Sequence, residues 1–502
     1  MRLFLRGCEL IFTIVARSFQ RALHHPQQVQ QAVKQSLIQA LKHTAYGQQY
    51  GINSLDDWSR LPIVNYTELV PWIERQQLGE NALTTEPILF YERTSGSCGP
   101  VKWIPYTRSL RRSFNHLFCV WAADLLQHGP RFTTGKLYFC FSPQLTDTPW
   151  RQSITVQDDS DYLDLWLQWL LKPFLVMPSG LKSPQTPAQF RQGLAIALLK
   201  SPRLEIISIW SPSFLTVQLD YIQSNQQQLY DILHREIGRD RAALLLQSPI
   251  DWTALWPDLK LISCWDRVNA ADSAQGLRNH FPGVFVQGKG LLATEAPLTV
   301  PLISAQGCVP LINQVLFEFE DASGHIYSLD QIKLNEPYNL IISQFGGLYR
   351  YRLGDQVQAT HIYQETPCLE FLGRLDTTSD LVGKKLTEQW VSKVLAKLSL
   401  NGANFRCLIP QSQPMFHYIL LLDMLDPTID TVKLAQTLDR LLSEAFHYQQ
   451  ARLLGQLAPA AVLIDAELCQ NLMNKEMRDH GILGGVKYRI LLTSLTDKIP
   501  NS

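Results

Sequence analysis

Short apolar runs of strand length alternate along this chain with helical patterns, and that alternation restricts the fold more than any other feature. Ile206-Ile207-Ser208-Ile209-Trp210, Leu261-Ile262-Ser263-Cys264-Trp265 and Val315-Leu316-Phe317-Glu318-Phe319 are separated by helix-like stretches, among them Phe214 to Leu233. Strands interleaved with helices predict a mixed α/β architecture, with β-sheets flanked by helices. Pro87 to Tyr91 reads as a further strand. Ahead of it, an amphipathic helix running through Leu10, Phe19 and Leu23 and a second helical stretch from Pro26 to Thr44 are expected, with Tyr46-Gly47 as the turn that stops the second. Leu61 to Gly79, punctuated by Pro62, Asn65 and Pro71, reads as short helices and turns.

A length of 502 residues exceeds what one hydrophobic core usually supports. After the Gly373-Arg374-Leu375-Asp376 turn the pattern changes to helix-like Glu388 to Leu398, strand-like Tyr418 to Leu422 and helix-like Thr431 to Tyr448. A large domain over 1–373 and a small α+β domain over 374–502 are therefore expected.

The overall charge balance favours no single partner class. Lys plus Arg and Asp plus Glu both number 45, so no global field favours nucleic acid or an anionic membrane, and any phosphate must be held by local geometry. Arg2, Arg6 and the apolar run Leu10 to Ala16 outline a signal peptide, but Glu9 interrupts it, no small-residue cleavage site follows, and the run is too short to span a bilayer. The nine cysteines form no CxxC pair and no Cys/His spacing suited to zinc, a pattern of a reducing cytoplasm. Neither GxSxG nor HExxH occurs. Cys98 lies among glycines and hydroxyls, yet no partner histidine for a nucleophilic thiol can be argued from sequence.

Three segments carry the chemistry. Directly after the 87–91 strand comes Arg93-Thr94-Ser95-Gly96-Ser97-Cys98-Gly99-Pro100-Val101-Lys102. Its glycines let backbone amides approach an anion, its hydroxyls add donors, and Lys102 supplies a positive charge, although an ordinary polar turn has the same composition. It is not a Walker A loop, whose order of glycines and lysine it lacks. Next, Gln287-Gly288-Lys289-Gly290-Leu291-Leu292-Ala293-Thr294-Glu295 can lay flat backbone against a purine and offer Glu295 to magnesium; a glycine-rich loop with a solvated glutamate is the other option. In the third, Gly346-Gly347-Leu348-Tyr349-Arg350-Tyr351-Arg352-Leu353-Gly354-Asp355, the Asp355 carboxylate can accept both hydroxyls of a ribose, with Tyr351 and Arg352 nearby, or the charges can form a cross-strand ion-pair cluster.

Taken in order, the three segments make the chain resemble the GH3 family of acyl-acid amido synthetases, a branch of the adenylate-forming superfamily. The likeness extends through Thr44-Ala45-Tyr46-Gly47, Leu61-Pro62-Ile63 to Tyr66, Ile73-Glu74-Arg75, and Phe90 to Ile104-Pro105-Tyr106-Thr107. It implies that Thr94, Ser95, Gly96, Ser97, Gly99 and Lys102 belong to the phosphate-binding loop. Thr294 and Glu295 match the close of the family's second motif, with Glu295 as the metal ligand and, with Lys102 and Lys385, a catalytic residue. Tyr351, Arg352 and Asp355 match the third motif, and Arg374 falls at the junction of the domains. Lys385 resembles the lysine of the mobile small domain, with Lys384 as its competitor for that role. The first loop is one residue shorter than is common among plant members, Cys98 replaces a hydroxyl, and Thr294 stands where serine is frequent.

The reaction implied uses ATP as substrate and Mg2+. A carboxylic acid attacks the α-phosphate to give acyl-AMP and pyrophosphate, the small domain rotates, and the amine of an amino acid displaces AMP. A monomeric cytoplasmic enzyme with small-molecule partners is expected, bound to neither nucleic acid nor membrane. Two other readings share these motifs: an acyl-CoA ligase, whose acceptor is a thiol, and a nucleotide-binding homologue that does not turn over.

Overall fold

The computed structural model describes residues 2–93, 102–139, 164–176, 187–267, 270–374, 378–381, 384–411, 415–445, 448–449, 452, 457–480 and 489–492. It is a mixed α/β fold. The first helix, Arg2–Ala22, buries Cys8, Phe12, Ala16 and Phe19 at helical spacing and packs on the helix Arg108–His128. Each such phenylalanine, fully buried, stabilises the fold by roughly 1.5–3 kcal/mol. The second helix, Pro26–Leu41, starts on Pro26, where a missing N–H costs nothing.

Three local expectations are corrected. Tyr46-Gly47 is not a turn but the middle of a short helix, Ala45–Gln49, because Thr44 caps it: its hydroxyl accepts from the Gly47 N–H at 3.0 Å. Leu61 to Gly79 contains one twelve-residue helix, Tyr66–Gln77, rather than several short ones. Its start is a reciprocal capping box of Asn65 and Glu68, and the helix continues through Pro71. The stretch from Phe214 to Leu233 is two helices, Pro212–Ser224 and Gln226–Leu233, parted at Asn225, whose side-chain amide donates to the Tyr221 carbonyl at 2.8 Å.

Two sheets organise the larger part of the chain. Four parallel strands, Leu137–Phe139, Ile206–Ser208, Leu261–Cys264 and Phe285–Gly288, lie side by side in that order. Full burial of Ile206–Ser208 and Leu261–Cys264 explains why those two read as unbroken apolar runs. Helices Pro187–Leu199, Pro212–Ser224 and Ala271–His280 contribute to the core on this sheet. The second sheet has five antiparallel strands in the order Ile326–Ser328, Leu316–Glu320, Pro337–Gln344, Leu348–Tyr363 and Thr366–Arg374. A separate hairpin, Ile88–Arg93 with Trp103–Thr107, flanks the first chemical segment.

From Leu386 onward the chain builds its own cores. Strands Arg406–Gln411, His417–Leu422 and Ala461–Ile464 form one sheet. Leu408, Leu420 and Leu422 pack with Val391, Leu395, Leu438 and Leu441 on one face, while Cys407, Ile409 and Leu421 pack with Phe405 and Cys469 on the other. Among the described residues no helix is long and apolar enough to cross a membrane.

Candidate active site

Lys102, Glu295 and Tyr351, one from each chemical segment, meet in space. The Lys102 ammonium donates to the Tyr351 hydroxyl at 3.2 Å and lies 4.0 Å from the Glu295 carboxylate. Its Nζ is 5.8 Å from the ring centroids of both Tyr66 and Tyr351, so two aromatic faces flank the charge. The Lys102 side chain keeps 22% of its surface exposed and that of Glu295 only 6%, so the cation faces solvent from a low-dielectric wall.

Local structure explains how residues so distant in sequence converge. Val64 and Tyr351 form a parallel bridge, with the Val64 N–H donating to Arg350 at 3.1 Å and the Arg352 N–H to Val64 at 2.8 Å. That bridge pins the capped start of the Tyr66–Gln77 helix onto the five-stranded sheet. Tyr66 then accepts from the Trp103 N–H at 2.6 Å, holding the backbone immediately after Lys102. From the same hairpin Tyr106 donates to the Thr294 carbonyl at 2.7 Å, and Gln344 donates to the Glu295 carbonyl at 3.1 Å. Tyr106 is fully buried, and its phenol pKa is pushed far up by burial, so it acts there as a donor. Burial also raises the Tyr66 phenol.

The third segment is divided by strand alternation. Arg350 forms a bidentate pair with Glu318 at 2.9 and 3.1 Å and donates to the Leu61 carbonyl at 2.8 Å, while Arg352 grips Glu320 at 2.5 and 3.0 Å. Tyr351, between them, faces the other way, toward Lys102. The ion pairs that the sequence left open are thus present, made by the arginines with Glu318 and Glu320. Hydrogen bonding to Glu320 raises the Arg352 guanidinium pKa further. Asp355 is buried, follows Gly354 at φ +86°, and pairs in register with Arg374.

Thr94, Ser95, Gly96, Ser97 and Gly99 lie outside the described residues, as does Cys98. Lys385 lies on the strand Lys384–Thr387, paired with Asp380, and Arg374 ends its strand; the described part of both is the backbone. Thr294 meets Tyr106 through its carbonyl. In the sequence Tyr66 and Tyr106 stand out only as parts of the resemblance and Gln344 does not stand out at all, since polar side chains that bind backbone across the fold leave no periodic signal.

Lys289 is a further lysine whose partners only the structure shows. Its ammonium donates to the Ser208 hydroxyl at 2.8 Å and lies 5.4 Å from the Trp210 ring and 5.8 Å from Phe139. These residues sit at the carboxyl ends of the parallel strands, where open α/β sheets bind ligands. Nearby on the same strand end, Trp121 donates to the Gln287 side chain at 2.9 Å. Burial pushes the thiols of Cys119 and Cys264 up to about 12 and that of Cys308 up to about 11, which leaves them poor nucleophiles. The arrangement sets a flanked ammonium beside one hard carboxylate, the first donating to the Tyr351 hydroxyl and the second on a backbone that Gln344 and Tyr106 hold.

Residues 15–286 match the GH3 family N-terminal domain and residues 308–374 the GH3 family central domain. The indole-3-acetic acid-amido synthetase GH3.10 of Arabidopsis thaliana is 23% identical over 422 residues, covering 69% of this chain and 70% of that protein. The jasmonoyl--L-amino acid synthetase JAR4 of Nicotiana attenuata is 21% identical over 453 residues, covering 79% and 78%. In architecture the chain is similar to the acyl acid amido synthetase AtGH3.15 solved in complex with 2,4-DB, with a TM-score of 0.82, 17% identity and 98% and 94% of the two chains covered.

Proposed function

The chain belongs to the GH3 family, and from that membership we infer that it is an acyl-acid amido synthetase, an adenylate-forming ligase that joins a carboxylic acid to an amino acid at the expense of ATP. The observation that supports this most directly is the convergence of Lys102, Glu295 and Tyr351.

A carboxylate resists attack by an amine because it is anionic and its leaving group would be oxide; esterification to AMP removes both obstacles. In our reading the acid's oxygen attacks the α-phosphorus in line, and the bond to pyrophosphate breaks. Negative charge grows on the phosphate oxygens during that step, where the Lys102 ammonium and the amides and hydroxyls of Thr94 to Gly99 would meet it. Removing one donor of this kind costs about 2.7–4 kcal/mol in comparable oxyanion sites. Tyr351 and the two aromatic faces hold the ammonium in place, so little reorganisation accompanies the reaction. We assign Asp355 to the ribose hydroxyls, and Arg352 to the wall beside them through Glu320 rather than to the nucleotide.

Glu295 is a single hard carboxylate beside a cation, a donor set that fits Mg2+ only together with nucleotide phosphates. Glu295 would hold the ion, which when bound neutralises phosphate charge. For the second half-reaction we propose that the domain over 374–502 turns on the larger 1–373 domain and that Arg374 and Lys385 take part from it. The seven free cysteines among the described residues suit a reducing compartment, and we propose a monomeric cytoplasmic enzyme.

The test is pyrophosphate release with ATP and magnesium across a panel of carboxylic acids, followed by mass spectrometry with amino acids added. Lys102→Ala and Asp355→Ala are each expected to slow pyrophosphate release at least about 100-fold. Full activity in both variants refutes the site; amide formation replaced by a thioester with coenzyme A refutes the acceptor.

A further inference from the structure

The helix Arg2–Ala22 is apolar on two faces, and the fold uses one of them. Cys8, Phe12, Ala16 and Phe19 are buried against the molecule, while Leu10 (59% exposed), Ile11 (41%) and Ile14 (55%) point away from it. Close to the first helix lies the short helix Leu165–Leu171. Leu5, Cys8 and Phe12, on and beside its buried face, share an apolar cavity with Leu171 and Phe174, and Val15 and Trp166 border a second cleft, so the two helices are neighbours. That second helix exposes Leu165 (80%), Trp166 (44%) and Trp169 (74%). Six large side chains so exposed offer more apolar surface than scattered single residues on a soluble protein.

Charge identifies the occupant. Arg6, Arg17 and Arg21 are exposed on the solvent side of the first helix, and Lys172 is exposed at the end of the second. Glu9 is the one acidic residue of the first helix, and Asp164 beside the second is paired with Arg111 at 3.0 Å. The chain as a whole carries no net charge, so this positive, apolar strip is local. A second copy of the chain is a poor fit, because an isologous contact would set arginines against arginines. A basic helix face with Leu and Ile at its centre, next to exposed tryptophans, matches the physics of lying in the plane of an anionic lipid interface.

We propose that this strip is a peripheral docking surface for anionic membrane, held by shallow insertion of Leu10, Ile14 and Trp169 and by the arginines. It does not span the bilayer, and none of its side chains belongs to the Lys102 cluster.

The test is sedimentation of the full chain with vesicles of phosphatidylcholine alone or mixed with phosphatidylserine. Binding to the mixed vesicles, weakening as salt rises, is expected. Each basic residue at an anionic leaflet strengthens binding about fivefold, so Arg6→Gln/Arg17→Gln should weaken it roughly 25-fold. Leu10→Ser/Ile14→Ser and, separately, Trp169→Ser should each weaken it about tenfold or more. All three variants should keep wild-type pyrophosphate release without vesicles, and because the altered side chains are exposed, wild-type thermal unfolding. Equal sedimentation with both vesicles, variants that bind like wild type, or a concentration-dependent dimer that Leu10→Ser/Ile14→Ser abolishes would each overturn the proposal.

Discussion

Tyr106 shows how much the placement of Glu295 depends on a buried residue of the neighbouring hairpin. Its hydroxyl donates to the Thr294 carbonyl, and its ring stacks on Phe90 at 4.7 Å between centroids. Tyr106→Phe keeps the packing and removes one hydrogen bond, so stability should fall by only about 1 kcal/mol. Glu295 follows Thr294 directly, so freeing that carbonyl lets the carboxylate drift from Lys102. We expect kcat and kcat/KM for pyrophosphate release to fall together by about tenfold, a signature of an interaction felt in the transition state. Unchanged kcat would mean that Gln344 suffices to hold the segment. At this scale the sequence marked Lys102, Glu295 and Tyr351 by their company in motifs. It did not separate Arg352 from Tyr351, because which face of a strand a residue occupies follows from register, not from composition.

Among the elements, the parallel sheet is anchored by Glu205, which immediately precedes its second strand. The carboxylate is fully buried, ion-paired to Lys260 at 2.6 Å, and accepts from the N–H groups of Thr133, Thr134 and Gly135. Burial alone would push its pKa up; the Lys260 ammonium and the Thr133 and Gly135 donors outweigh that and bring it down to about 2. A carboxylate with a depressed folded-state pKa stabilises the protein fully above its unfolded value near 4.5, and that contribution is lost as pH falls through about 2. Its size at neutral pH is roughly 3 kcal/mol. Glu205→Gln should therefore lower the thermal midpoint at pH 7 and flatten the dependence of stability on pH below about 4.5, as followed by circular dichroism. An identical acid limb in both proteins would exclude this role. The strand itself was legible as an apolar run. Its anchor was not, since a glutamate beside isoleucines looks in sequence like an exposed end.

For the whole molecule, the separate cores from Leu386 onward argue that the larger part folds without them. A chain ending at residue 373 is expected to unfold cooperatively and to gain thermal stability from ATP, yet to form no amide. Loss of cooperative unfolding in that fragment would show that the two parts are one folding unit. By itself the sequence determined the class of fold, the helical lead-in and the three chemical segments, because periodicity and turn chemistry are local properties that each stretch carries alone. Only the tertiary structure decided that Lys102 reaches Tyr351 across 249 positions of chain, that Glu318 and Glu320 take the arginines, and that the first helix keeps a second apolar face in the open. Those outcomes depend on strand register and on which surfaces pack together, and both are set by the sum of many distant contacts that no single stretch encodes.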